Sequence, residues 1–330
     1  MSTLSPLPKI LIITGHHDGT FAAVCKHLLE SLEKVASITR SQDPLQINQL
    51  LLSGDISSVL VVDPTLFLLS QLQYRILRDT VRQFARTQGG TILFCGIFNS
   101  FVRPTDINYF FKPEWNLPWR SGDYCRTSFS LNPGFRLDDN GSPAFDPKAA
   151  GLDTAYSEKA LHIEGMAKSS MLYVTTPDSQ LESLVFAARP QHNEKESPVV
   201  FQTYGKGRVG WIGDVNGEKG STKVVLGICG LSSGSKLPTP IPATQDPHAG
   251  RICCTNCGKR EEPEKKFKRC GSCQVCYYCN AACQKAHWKS EHKGDCKYIG
   301  ANEDKEDLGL DDDDEEDFSY YGPPGMVPGR

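Results

Sequence analysis

The chain has 330 residues, enough for two domains, and its 39% hydrophobic content can support one sizeable core. Its net charge of -3 averages three unlike segments: residues 1–250 are net 0, residues 251–298 net +6 and residues 299–330 net -9, so a neutral body, a basic module and an acidic tail are expected in series. The opening residues lack a secretory leader, no apolar run is long enough to span a bilayer, and nine of the thirteen cysteines crowd between Cys253 and Cys296, which together predict an intracellular setting, nucleus or cytoplasm, where dense cysteines bind metal before they form disulfides.

In chain order, residues 9–14 read as a buried strand that runs into Gly15-His16-His17-Asp18-Gly19-Thr20. Residues 21–35 carry a helical period, 59–64 form a second strand, 71–88 an amphipathic helix stopped by Gly89-Gly90, and 91–96 a third strand. Further strands are expected at 169–174, 184–188, 199–204 and 208–213, the last two forming a hairpin about Gly205-Lys206-Gly207. Alternating strands and helices predict an α/β fold, a mainly parallel sheet with flanking helices. His16 and His17 end the first strand, where open α/β sheets place ligands. With no phosphate loop or dinucleotide fingerprint nearby, they read as surface histidines of a turn.

Two stretches, Gly89-Gly90-Thr91-Ile92-Leu93-Phe94-Cys95-Gly96 and 204–214, resemble class I glutamine amidotransferase-like domains. The resemblance implies a flavodoxin-like sheet over residues 1–230 and, in active members, a cysteine on a strand-to-helix elbow served by a histidine and an acid. Cys95 is the candidate nucleophile. The small residue expected two positions later is Ile97, and residues 214–218 after the late strand hold no histidine. A thiol without a base stays protonated at neutral pH, so Cys95 is expected to be a buried strand cysteine in a non-catalytic domain. A Cys95-dependent thiol hydrolase or amidotransferase-like enzyme is the alternative function.

Residues 231–250, with four prolines, read as a linker. The cysteine-rich module follows at 251–298. Cys273, Cys276, Cys279 and Cys283 have an iron–sulfur spacing, but Gln284 stands where such runs carry proline, and the other cysteines are left without partners. Zinc accounts for more: Cys254 with Cys257, Cys270 with Cys273, Cys279 with Cys283, and His292 with Cys296 are four ligand pairs, enough for two closed structural sites. Cys253 could shift the register by one, Cys276 is expected to be a free thiol, and His287 a surface helix residue. With few large aliphatic side chains, a module this small needs the metal to fold.

The pattern C-x2-C-x12-C-x2-C-x5-C-x3-C-Q-x3-W-x3-H-x3-C over residues 254–296 resembles a MYND-type zinc finger. The resemblance implies an interleaved pairing, with one zinc on Cys254, Cys257, Cys279 and Cys283 and the other on Cys270, Cys273, His292 and Cys296. Residues 281–289 read as a helix, and Gln284 and Trp288 share a face turned away from the metal. An exposed tryptophan suits an anchor for an extended peptide, and the resemblance implies proline-rich ligands of the form Pro-Pro-x-Leu-Ile-Pro, bound by an intracellular adaptor or transcriptional regulator. The run Lys265, Lys266, Lys268, Arg269 reads as a solvated loop rather than a nucleic-acid contact. The acidic tail 299–330 is expected to be disordered, and its Pro323-Pro324-Gly325-Met326-Val327-Pro328 is a candidate ligand for the Gln284–Trp288 groove.

Overall fold

The computed structural model describes residues 7–68, 72–137, 145–183 and 187–232, and in the C-terminal module residues 254–257, 259, 261–262, 264–272, 276–293 and 296. The strand expected at 184–188 falls partly outside these residues, as do almost all of the linker and the whole tail 299–330 with its proline motif.

Among the described residues of the body, ten strands form one sheet: β1 (Lys9–Ile13), β2 (Ser37–Ser41), β3 (Ile56–Val61), β4 (Thr91–Phe94), β5 (Arg120–Leu131), β6 (Ala155–Glu164), β7 (Met171–Val174), β8 (Glu196–Ser197), β9 (Val199–Tyr204) and β10 (Gly207–Ile212), in the order β2-β1-β3-β4-β10-β9-β7-β5-β6-β8. The half from β2 to β10 is parallel and has the 2-1-3-4-5 order of flavodoxin-like sheets, as expected. From β10 onward every pairing is antiparallel; the β9–β10 hairpin and β7 were expected, while β5, β6 and β8 were not announced by the apolar pattern. The β9–β10 hairpin turns at Gly205, whose φ of 64° is left-handed, and a Cβ there would lie 2.3 Å from the Arg86 carbonyl.

The helices are α1 (Asp18–Val24), α2 (Lys26–Glu33), α3 (Pro44–Ser53), α4 (Thr65–Leu68), α5 (Leu72–Gln88), α6 (Phe98–Phe101), α7 (Pro104–Trp115) and α8 (Lys219–Ile228). The helix expected over 21–35 is two helices, because the chain leaves helical geometry at Cys25. Side chains alternate across the strands. Ile10, Ile12, Leu60 and Leu93 join Leu28, Leu32, Val224 and Ile228 in one core. Leu11, Ile13, Val59, Val61, Ile92 and Phe94 join Leu77, Val81, Phe84 and Phe111 in the other. Cover on both faces explains why β1, β3 and β4 are apolar runs rather than alternating ones.

The C-terminal module contains β11 (Lys268–Arg269), β12 (Tyr277–Tyr278) and α9 (Ala281–His287), which continues as a π-helical turn Trp288–His292. β11 and β12 pair antiparallel. Half of the basic run is therefore strand rather than loop: Arg269 lies over the Tyr277 ring, 5.6 Å from its centroid, and Lys266 pairs with Glu261 at 3.2 Å.

Candidate metal centre and peptide surface

The hairpin and the helix set the thiols. The Asn280 side chain caps α9 by accepting from the Cys283 amide at 2.8 Å, which places Cys279 just before the helix and Cys283 in its first turn. Thr255 N donates to Tyr277 O at 2.8 Å and ties the segment around Cys254 to β12. Cys254, Cys257, Cys279 and Cys283 thereby converge, their sulfurs all within 4.8 Å of one another. Two of those separations are 3.7 Å, between Cys257 and Cys279, and 3.5 Å, between Cys279 and Cys283. A tetrahedron with Zn–S bonds of ~2.3 Å has edges of about 3.8 Å, so the spacing fits a zinc ion. Burial raises the Cys254 thiol, but the amides of Cys257, Cys279 and Asn256 outweigh it and bring it down to about 7, while burial and the hydrogen bonds to its neighbours push the Cys279 thiol up to about 12, so the thiols by themselves favour a single thiolate and a cation is needed to hold more.

A second cluster brings together Cys270, His292 and Cys296, all buried, with 3.6 Å between the two sulfurs. Cys273, the fourth member implied by the resemblance, lies outside the described residues. The iron–sulfur grouping is not formed among the described residues. Cys276 is buried beside His292, Sγ to Nδ1 3.7 Å, and clusters with His287 and His292 instead of with Cys279 and Cys283.

His287 is not a surface residue, contrary to the sequence expectation. It is buried, shares a 2.9 Å hydrogen bond with the Tyr278 hydroxyl, and stacks on His292 with ring centroids 5.2 Å apart. The sequence signal was Tyr278, a residue whose hydroxyl needs a partner once buried. Trp288 is 37% exposed, yet its ring meets His292 edge-on at 5.7 Å. It packs against a candidate ligand and leaves part of its surface to solvent. Gln284, one turn earlier, is half-buried.

In the body, Cys95 closes β4 and is 1% exposed. Burial, with Cys25, Cys229 and Asp214 nearby, raises its thiol well above the ordinary range. A cavity of about 20 Å³ beside it is lined by Cys25, Asp214, Glu218 and Ser221. Behind that cavity lies an acid the sequence did not single out. Glu158 is fully buried and accepts from Ser221 Oγ at 2.7 Å through one oxygen. Its other oxygen has no hydrogen-bond partner among the described residues. Burial and the neighbouring Asp214 hold its carboxyl well above the usual range. Such surroundings oppose a Cys95 thiolate. His16 is exposed, while His17 donates its amide to Asp63 at 2.9 Å and stacks on Phe101 at 3.8 Å.

Residues 254–296 match the family model of the MYND finger. With its clustered donors, this part of the chain is a MYND zinc finger, a protein-interaction module. An F-box protein of Arabidopsis thaliana is 45% identical over 47 residues, 14% of this chain and 12% of that protein, so the match spans a small part of the relative's length. Among solved structures, a putative ThuA-like protein from Parabacteroides merdae is similar with a TM-score of 0.36 and 10% identity, over 72% of this chain and 96% of that one. A β-galactosidase from Bacillus circulans sp. alkalophilus is similar with a TM-score of 0.39 and 10% identity, over 67% of this chain and 30% of that one. At these scores neither likeness carries an argument, and the α/β reading of the body rests on its own strand order.

Proposed function

We propose that the chain is an intracellular adaptor, active in the nucleus or cytoplasm, whose finger binds proline-rich segments of partner proteins and serves transcriptional regulation. The observation that carries this reading is Trp288, 37% exposed on a module whose own apolar core is small. A flat aromatic face beside Gln284 suits a polyproline-type ligand, which is already extended and loses little entropy on binding. Two zinc ions would hold the finger, on Cys254, Cys257, Cys279 and Cys283 and on Cys270, Cys273, His292 and Cys296. The ions serve the fold, since closed four-ligand sites leave no position for substrate water. In this reading residues 1–230 are an α/β platform, 231–250 a linker, 251–298 the finger and 299–330 a tail whose Pro323-Pro324-Gly325-Met326-Val327-Pro328 competes for the groove. The test titrates a Pro-Pro-x-Leu-Ile-Pro peptide into the zinc-loaded chain and its Trp288→Ala variant. Loss of an anchor of this kind costs about 2 kcal/mol or more, a ~30-fold weaker Kd. Equal affinity at equal zinc content would remove the groove from the reading.

A further inference from the structure

The antiparallel half of the sheet assembles a constellation that no local motif announces. Cys125, on β5, is half-buried, and its Sγ stands 3.8 Å from Nε2 of His162 on β6. The other nitrogen of that ring, Nδ1, stands 3.4 Å from Oε2 of Glu196 on β8. Glu196 is itself fixed, accepting from the Asp123 amide at 2.8 Å. The β5–β6 register shifts between Ser121 and Tyr124, which puts a bulge opposite His162, the kind of irregularity that re-aims side chains beside functional sites. The imidazole is 2% exposed and packs edge-on to Phe129 at 5.3 Å. Sulfur and carboxylate meet opposite nitrogens of the ring, so the three groups do not converge on one metal ion. They form instead a nucleophile, a base within reach of it, and a group that orients the base.

We propose that Cys125 is a nucleophilic thiol, with His162 as its general base and Glu196 as a positioning carboxylate, acting on small acyl esters or thioesters. Burial, Asp123 and Glu196 push the lone thiol up to about 12, against the opposing charge of Arg189. The sulfur therefore rests protonated, and the step needs the base. The carboxylate that opposes a thiolate also favours the imidazolium formed when the proton moves, as the acid does in Ser–His–Asp sets. The S–H proton passes to His162 Nε2 while the sulfur electron pair forms a bond to the acyl carbon and the carbonyl pair moves to oxygen. Collapse of the adduct breaks the bond to the leaving group, which takes the proton back from His162. Water, deprotonated by the same nitrogen, then releases the carboxylic acid and restores the thiol. This site is separate from Cys95, whose adjoining cavity is lined by no histidine among the described residues.

The experiment treats the zinc-loaded full chain with p-nitrophenyl acetate and maps acetylated cysteines by mass spectrometry, with the urea-unfolded chain as reference. Cys125 in the native chain is expected to react at least about tenfold faster than in urea at pH 7, and His162→Gln to remove about 100-fold, the usual general-base contribution. Glu196→Gln is expected to slow acylation of Cys125 at pH 7, because the imidazole loses the carboxylate that orients it and favours its protonated form. A carboxylate that only opposes the thiolate would, once removed, speed the reaction instead. Native Cys125 reacting no faster than in urea, or a folded His162→Gln variant reacting at the wild-type rate, overturns the proposal. Should that variant fail to fold, the native-to-urea ratio and the direction of the Glu196→Gln rate change decide the matter alone.

Discussion

Replacing Glu158 with glutamine should stabilise the body at neutral pH and lose that advantage in acid. Glu158 sits on β6 opposite Thr127, wholly buried, with Ser221 on one oxygen and no partner on the other among the described residues. Burial first, then the charges of Asp214 and Glu218, raise its folded pKa, and the Ser221 and Tyr156 hydroxyls oppose them without winning. An unfolded glutamate titrates near ~4.3. Below that value both states are protonated and the group's contribution is fully present. Above it the unfolded chain releases its proton while the folded one keeps it. Stability therefore falls by about 1.4 kcal/mol per pH unit until the folded pKa is passed. Glutamine keeps the shape and has no proton to lose. Asp214, also raised by burial, titrates in both chains and cancels in the difference. Between pH 5 and pH 7 the variant should gain on the wild type, by at most the linkage ceiling of about 3 kcal/mol for one proton over two pH units, or roughly 6–12 °C in the body's melting temperature. Urea denaturation of both chains at pH 5, 6 and 7 measures it. A difference that stays constant with pH would show that Glu158 ionises in the folded state, and the argument from its burial would fail.

Two further outcomes are expected from the same geometry. Chelation with EDTA should release zinc and unfold the finger while the body keeps its cooperative melt, because the finger's core is little more than Phe267, Tyr278 and its own cysteines; circular dichroism with a zinc-responsive dye follows both. Iodoacetamide at pH 7 should leave Cys25, Cys95 and Cys229 unlabelled until denaturant is added, since burial drives all three thiols upward; rapid, selective alkylation of Cys95 would instead revive the thiol-enzyme alternative for that residue.

In the parallel half of the sheet β1, β3, β4 and β10 were legible because strands covered on both faces are apolar runs, whereas the polar edge strand β2, Ser-Ile-Thr-Arg-Ser, was not. β5 was not: Arg-Ser-Gly-Asp-Tyr-Cys-Arg-Thr is polar, half-exposed and broken by a bulge, so neither an apolar run nor a clean alternation survives. α7 was hidden by its two prolines, Pro104 at the start, where it is tolerated, and Pro113 inside. The zinc donors were legible as pairs, since gaps of two and three residues are local geometry. The burial of His287 was not, because it depends on Tyr278, nine residues away. The Cys125–His162–Glu196 set was invisible for the same reason on a longer scale: it exists only once β5, β6 and β8 pair.

The contact between Trp288 and His292 makes the proposed peptide site and the metal site thermodynamically one object. His292 is fully buried, clusters with Cys270 and Cys296, and presents its ring to the edge of Trp288 at 5.7 Å. A zinc ion on His292 would fix that ring and, through it, the indole that a peptide would meet. Whatever the peptide gains from an ordered indole, the ion must gain from the peptide, because coupling between two sites is reciprocal. A ligand at ten times its Kd that binds only the loaded finger stabilises it by about 1.4 kcal/mol. Zinc release into excess chelator should therefore slow by up to about tenfold when the Pro-Pro-x-Leu-Ile-Pro peptide is present at that level, and the slowing should vanish in Trp288→Ala. Stopped-flow release with a zinc-responsive dye reads both rates. If the peptide binds and release is unchanged, the indole is positioned without the metal, and the finger's ions hold the fold without controlling its ligand.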